Sequence, residues 1–232
     1  MLSLTVGDLH FEVRRSSRRR SVQITVDRGG ELLISAPETC PTHVMEDFVR
    51  EKRIWIYTKL AEKDALGLKV PPAKGYVSGE GFRYLGRSYR LLLVDEQEVP
   101  VKLEQGHFKL LRSHASNGRR EMIRWYAEHA QPWLASRVAR FQHRVGTEPQ
   151  GIAVQDLGFR WGSCGKGGKL YFHWRTIMLP PRIIEYVVVH ELVHLLEAHH
   201  TAKFWAAVER AMPSHAARKQ WLTEHGAAAA VL

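Results

Sequence analysis

A chain of 232 residues with 44% hydrophobic and 25% charged residues has the make-up of a folded globular protein, long enough for one large domain or two small ones. That composition excludes a disordered or fibrous chain. Against 24 Asp plus Glu stand 34 Lys plus Arg, a formal charge of +10 that favours anionic partners such as nucleotides, nucleic acid or acidic proteins.

The segment from Met1 to Asp8 lacks a basic stretch followed by an apolar run, so no secretory signal is expected. The apolar stretch from Ala227 to Leu232 is too short to cross a bilayer, and no membrane partner is expected. Cys40 and Cys164 alone make no disulfide framework, which points to a cytoplasmic location.

In chain order, Leu9 to Val13 alternates weakly, and Ser21 to Val26 alternates clearly, with Val22, Ile24 and Val26 on one face. Asp27-Arg28-Gly29-Gly30 is a turn signal and Glu31 to Ala36 returns as a strand, so a hairpin is expected. Between the first two strands, Arg14, Arg15, Arg18, Arg19 and Arg20 form a dense basic run. It suits phosphate binding, or, more commonly, a solvated edge strand kept from aggregating by its charge. Pro41-Thr42 opens a helix to about Lys63, with an apolar stripe from Val44 to Leu60. Residues 75–94 and 101–111 read as strands punctuated by Gly79, Gly81 and Gly86.

The texture changes near Ser116. Residues 119–145 carry a helical pattern in which Pro132 should kink or restart the helix. A short strand at Ile152–Val154 precedes two strands, within 159–178, around the turn Gly165-Lys166-Gly167-Gly168. Pro180-Pro181 starts a helix from Arg182 to about Glu197. Further helices follow at Thr201–Ala211 and around Trp221, and the tail from Gly226 is expected to fray. No internal repeat is visible. The organisation is α+β: a β-rich region over 1–113 with one long helix, a mainly helical half over 114–225 with a small β hairpin, and a tail over 226–232.

The chemistry concentrates in His190-Glu191-Leu192-Val193-His194. At about 100° per residue, His190 and His194 lie within about 40° of each other, one helical turn apart, and can grip one ion. Glu191 projects beside them, placed to take a proton from water on that ion, as a zinc hydrolase requires. The apolar flanks Val187, Val188, Val189, Leu192, Val193 and Leu195 would bury this ionisable trio, at high cost without a metal or partners. A third ligand must come from Glu197, His199, His200 or Glu209. Glu197 falls ~7.5 Å beyond the midpoint of the two histidines along the axis, too far for direct ligation. His200 can ligate only if the helix stops and the chain turns back; it is the choice, with His199 its close competitor and Glu209 a remote third.

The chain resembles a known family, the YgjP-like metallopeptidases, distant relatives of the SprT-like zinc proteins. The resemblance is carried by Arg160-Trp161-Gly162-Ser163-Cys164, by Pro180-Pro181, by Tyr186 through Leu195, by His200 with Phe204-Trp205, and by Met212-Pro213 with Trp221-Leu222. The front adds Trp55-Ile56 and Tyr84-Leu85-Gly86-Arg87-Ser88-Tyr89-Arg90-Leu91, so that the likeness spans about Arg14 to Leu222. It implies a zincin-like catalytic half binding one Zn2+ per chain, with ligands at His190, His194 and His200 and a base at Glu191. Where the family commonly has Asn, this chain has His199 and His173, two added metal-binding or proton-transfer groups.

An oxyanion-stabilising group is also needed, and Arg160, Tyr171, His173 and His199 have suitable chemistry. Trp161 reads as a core anchor, Gly162 as a tight bend, and Cys164 as a buried small residue, with no sign of a thiolate nucleophile. Three functions compete. The first is a zinc peptidase acting on peptide or protein, and the second the same site hydrolysing the phosphoanhydride of a nucleoside triphosphate. The third is a non-enzymatic zinc-stabilised module bound to nucleic acid. Glu191 speaks against the third, because a structural site fills its fourth position with a protein ligand and needs no base.

Overall fold

The computed structural model describes residues 2–26, 31–65, 74–158 and 160–232; of residues 62–65 only the backbone is described. The chain is α+β and divides into two compact units, 1–70 and 71–232.

In the first unit, β1 (Leu2–Val6), β2 (Leu9–Ser16), β3 (Gln23–Val26) and β4 (Leu32–Pro37) form a sheet of order β1-β2-β4-β3. The outer pairs are antiparallel and the central pair, β2 with β4, is parallel. The hairpin expected from Ser21 to Ala36 is present as β3 and β4, with Val26 opposite Leu32; its turn, 27–30, lies outside the described residues. β1 was not expected. Alternation along β2 buries Leu9, Phe11 and Val13 against Ile34 of β4 and against Met45, Val49 and Ile56 of two helices. These are α1 (Thr42–Glu51) and α2 (Arg53–Ala65), so the single helix expected from Thr42 to Lys63 breaks at Lys52, where neither Pro nor Gly marks it.

The basic run does not lie on an edge strand. Arg14 and Arg15 belong to inner strand β2, bordered by β4, while β1 reaches only as far as Val13. The Arg15 guanidinium donates to the carbonyls of Pro37, Glu38 and Cys40, Arg14 pairs with Glu12, and Arg19 donates to Gln23. Three of the five arginines are therefore engaged within their own unit.

The second unit opens on a sheet of the same design: β5 (Gly81–Tyr84), β6 (Arg87–Val94), β7 (Val101–Glu104) and β8 (His107–Leu111), in the order β5-β6-β8-β7. Again the outer pairs are antiparallel and the central one parallel. Its hairpins close on Leu85-Gly86 (φ 50° and 78°) and Gln105-Gly106 (φ 50° and 76°), both residues left-handed as a type I′ turn requires.

Phe82, Leu91, Phe108 and Leu110 are fully buried against α3 (Gly118–Val145), and the Phe108 ring meets Trp125 edge-on at 4.8 Å. α3 runs through Pro132 as one helix and ends at Gly146 (φ 77°), a left-handed cap. Because this sheet shares one core with the helices that follow, the compact units part at 70/71, whereas the change of texture placed the boundary at 113/114.

Beyond α3 lie β9 (Gly151–Gln155), β10 (Gly162–Cys164) and β11 (Lys169–His173), in the order β10-β11-β9. A 3-10 turn over Trp174–Met178 leads into α4 (Pro181–Val193), followed by α5 (Ala202–Ala211) and α6 (His215–Ala229). The tail expected to fray from Gly226 instead extends α6: Ala-rich sequence propagates the helix, and Gly226, Ala229, Ala230 and Leu232 are buried. Among the described residues, no helix is long and apolar enough to cross a membrane.

Candidate metal centre

α4 carries the His-Glu motif in its last turn, and its position is set before that turn begins. The Leu85 and Gly86 amides donate to the carbonyls of Ile177 and Met178, at 2.8 and 3.1 Å. A Cβ on Gly86 would lie 2.8 Å from the Pro180 Cα, so only glycine lets the β5–β6 turn approach the start of α4. Along α4, Ile183, Ile184, Val188, Val189, Leu192 and Val193 are wholly buried. Packing on nearly every side fixes the helix.

The helix then stops where a returning chain needs it to. His194 is the C-cap, the Leu195 and Leu196 amides turn back onto Leu192 and Val193, and His194 Nδ1 lies 3.1 Å from the Glu197 carbonyl. Glu197 thus meets His194 through its backbone oxygen. Thr201 starts α5, its hydroxyl accepting from the Phe204 amide, and this brings His200 back over the motif.

Nitrogens of His190, His194 and His200 all lie within 4.8 Å of one another, and the Nε2 atoms of His190 and His200 face each other at 2.9 Å. Tetrahedral zinc with Zn–N near 2.0 Å separates adjacent ligand nitrogens by ~3.3 Å, so the His190–His200 pair needs only a few tenths of an ångström to receive the ion. The Phe204 ring touches all three imidazoles, with centroids 4.6 to 4.9 Å away, and forms a floor beneath them. Trp205 stacks on His200 at 24°. Burial, reinforced by the positive neighbours His194, His200 and Lys219, pushes His190 down to about 3, and His200 is lowered for the same kind of reason. At neutral pH both keep lone pairs available to a cation.

Glu191 is 6% exposed. Burial pushes its carboxyl up to about 8, against the opposing pull of the Arg160 charge. A Cβ on Gly162 would lie 2.6 to 2.8 Å from the Glu191 side chain. Gly162 is therefore not the tight bend that was expected but a residue of β10 whose missing side chain makes room for the carboxylate. The three imidazoles and Glu191 share a cleft of ≈ 1030 Å³, which β10 and Lys219, Leu222 and Thr223 of α6 also line.

The four oxyanion candidates part company. Arg160 lines the cleft; Tyr171, His173 and His199 are not among its lining residues. His173 is 1% exposed, with Nδ1 accepting from the Arg175 amide and Nε2 3.4 Å from Asp156, so it caps the 3-10 turn. Tyr171 lies under the Lys169 ammonium. His199 is exposed and offers its carbonyl to the Thr201 amide. Phe159, which opened the strand pair in the sequence reading, lies outside the described residues. The Cys164 thiol is raised by burial and by Glu191, the opposite of an activated nucleophile.

Two cleft residues escaped the sequence reading of the site. Tyr186 is nearly buried, meets the His190 ring edge-on at 5.9 Å, and sits one helical turn before it, a spacing that could have revealed it. Lys219 comes from a separate helix, and no local pattern marks it.

A family model described as "YgjP-like, metallopeptidase domain" matches residues 20–225. No curated protein matches the chain. Among solved structures, the chain is similar to the crystal structure of the metallopeptidase zymogen of Pyrococcus abyssi abylysin, with 19% identity over 39% of this chain and 93% of that one and a TM-score of 0.36.

Proposed function

The chain belongs to the YgjP-like family of metallopeptidase domains, and from that premise we propose that it is a zinc-dependent peptidase with Glu191 as its general base. Family membership implies a divalent metal. The observation that carries the finer reading is the convergence of three imidazoles beside a buried carboxylate at the floor of an open cleft.

His190, His194 and His200 would hold the ion: neutral imidazoles, three in number, are the donor set of a catalytic zinc site that keeps a position open. Bound there, zinc supplies Lewis acidity, acidifying water towards a pKa of ~7 and polarising a carbonyl. Beside a divalent charge the Glu191 carboxyl returns to its ionised form, takes a proton from the attacking water, and hands it to the leaving amine. Arg160 lies within electrostatic reach of Glu191 and is the oxyanion candidate that the cleft retains. Gly162 keeps the β10 backbone against that carboxylate.

The nucleoside triphosphate reading keeps one observation in its favour: Arg160, Lys166 and Lys219 around the cleft would suit phosphates as well. The nucleic-acid module loses its main support, since Arg14, Arg15 and Arg19 are engaged within their own unit.

Purified protein should hold about one zinc per chain by elemental analysis. Glu191→Gln should keep the metal and lose about 10²- to 10⁴-fold in turnover of peptides. His200→Ala should lose the metal and His199→Ala should keep it; the reverse would reassign the third ligand. A peptide library and nucleoside triphosphates are assayed side by side with the Glu191→Gln protein as blank. Activity on nucleotides alone would overturn the peptidase.

A further inference from the structure

Apart from the buried Glu191 and the three histidines, the charged side chains that line the cleft are all basic: Arg160, Lys166 and Lys219. Arg160 and Lys166 stand at either end of β10, the first acting electrostatically on Glu191, the second in the exposed glycine turn. From α6, Lys219 acts on both His190 and His200. It is held in place: its ammonium lies 4.1 Å from the centre of the Trp205 ring, which itself stacks on His200. The residue before it, Arg218, donates to the Arg182 carbonyl at the start of α4 and pairs with Glu185 at 3.5 Å, fixing α6 to the metal helix.

Among the described residues that line the cleft, Glu191 is the only carboxylate, and it sits buried beside the three histidines. Lys166 and Lys219 have no carboxylate partner among the described residues. A basic segment entering this cleft meets like charge at Lys166 and Lys219, with only the buried Glu191 to answer it. An acidic segment meets those cations instead, where a concave surface concentrates the field.

We infer that the cleft selects acidic peptide segments, whose Asp and Glu side chains pair with Lys166 in the turn after β10 and with Lys219 of α6. This rests on the peptidase reading and names its substrate class. Exposed ion pairs are each worth up to a few-fold, so pairing with both lysines compounds to a preference of about ten-fold in kcat/KM.

The test uses the full-length, zinc-loaded protein and three peptide sets on one scaffold, enriched in Asp and Glu, in Ala and Ser, or in Lys and Arg. Products are identified by mass spectrometry and kcat/KM is measured for each. Acidic peptides should exceed neutral ones by about ten-fold, basic ones should trail, and the spread should shrink as salt rises from about 0.05 M to about 0.5 M. Lys166→Glu and Lys219→Glu should each lower the acidic-to-basic ratio at least about five-fold; circular dichroism and zinc content show that fold and metal site are intact. Should Lys219→Glu fail to fold, Lys219→Gln provides the same comparison, with a smaller fall in the ratio. If all three sets are cleaved equally, or the ratio ignores both substitutions, acid selection is refuted while the peptidase stands. If no peptide of any set is cleaved, the peptidase reading itself falls.

Discussion

Gly7 and Gly86 occupy corresponding hairpin turns in two sheets of one strand order, yet a side chain added at Gly7 would meet open space and one added at Gly86 would strike Pro180. In the first unit the sheet and its two helices close a core of their own around Phe11, Ile34 and Ile56. In the second, the sheet's core continues without a break through α3 into α4. One topology thus serves in one place as a self-contained layer and in the other as the footing of the candidate metal centre. What separates them is the neighbour on which each sheet rests, which strand order does not encode.

The widest gap between the two should come from their buried phenylalanines. Phe108→Ala removes a ring packed against Tyr89, Trp125 and Tyr126, costing about 3–5 kcal/mol, and should also weaken zinc binding because α3 supports α4. Phe11→Ala should cost its own unit a similar amount and leave zinc affinity as it was. Denaturation curves read beside zinc titrations distinguish the cases, and equal loss of zinc affinity in both would erase the contrast. Next in size is the pair of turns. Gly86→Ala combines a left-handed backbone with a backbone clash and should cost about 3 kcal/mol, with metal affinity falling. Gly7→Ala carries the left-handed strain alone, about 1 kcal/mol, with no effect on metal. The smallest effect tests the returning chain. Thr201→Ala removes the cap of α5 and should cost about 1 kcal/mol, loosening His200 enough to raise the zinc dissociation constant several-fold. A Thr201→Ala protein with unaltered affinity would show that Phe204 alone holds the third imidazole.

Much of this was legible because it is local. Apolar alternation marked β2 and β3, a turn signal marked the return as β4, prolines marked the start of α4, and helix geometry passed over Glu197 and asked for a turn before His200. The parallel pairing of β2 with β4 and of β6 with β8 has no local signature, so the likeness of the two sheets stayed hidden in a sequence without a visible repeat. The break at Lys52 lacks a breaker residue, and β1 buries one side chain of five, too little alternation to announce a strand. At the site, Gly162 was legible as a glycine but not as the neighbour of Glu191, and His173 had chemistry that suited catalysis but a burial that suits a cap. Contacts across the fold, such as Lys219 with Trp205, leave no trace in spacing.

The three imidazoles and the helices around them come late in the chain, after the second sheet and α3 are complete. At about 5–20 residues per second of synthesis, several seconds separate the emergence of α3 from that of His200. A nascent chain can therefore set its scaffold before the third imidazole exists, and the candidate metal site comes together only once the segment carrying His200 turns back and Phe204 packs beneath the rings.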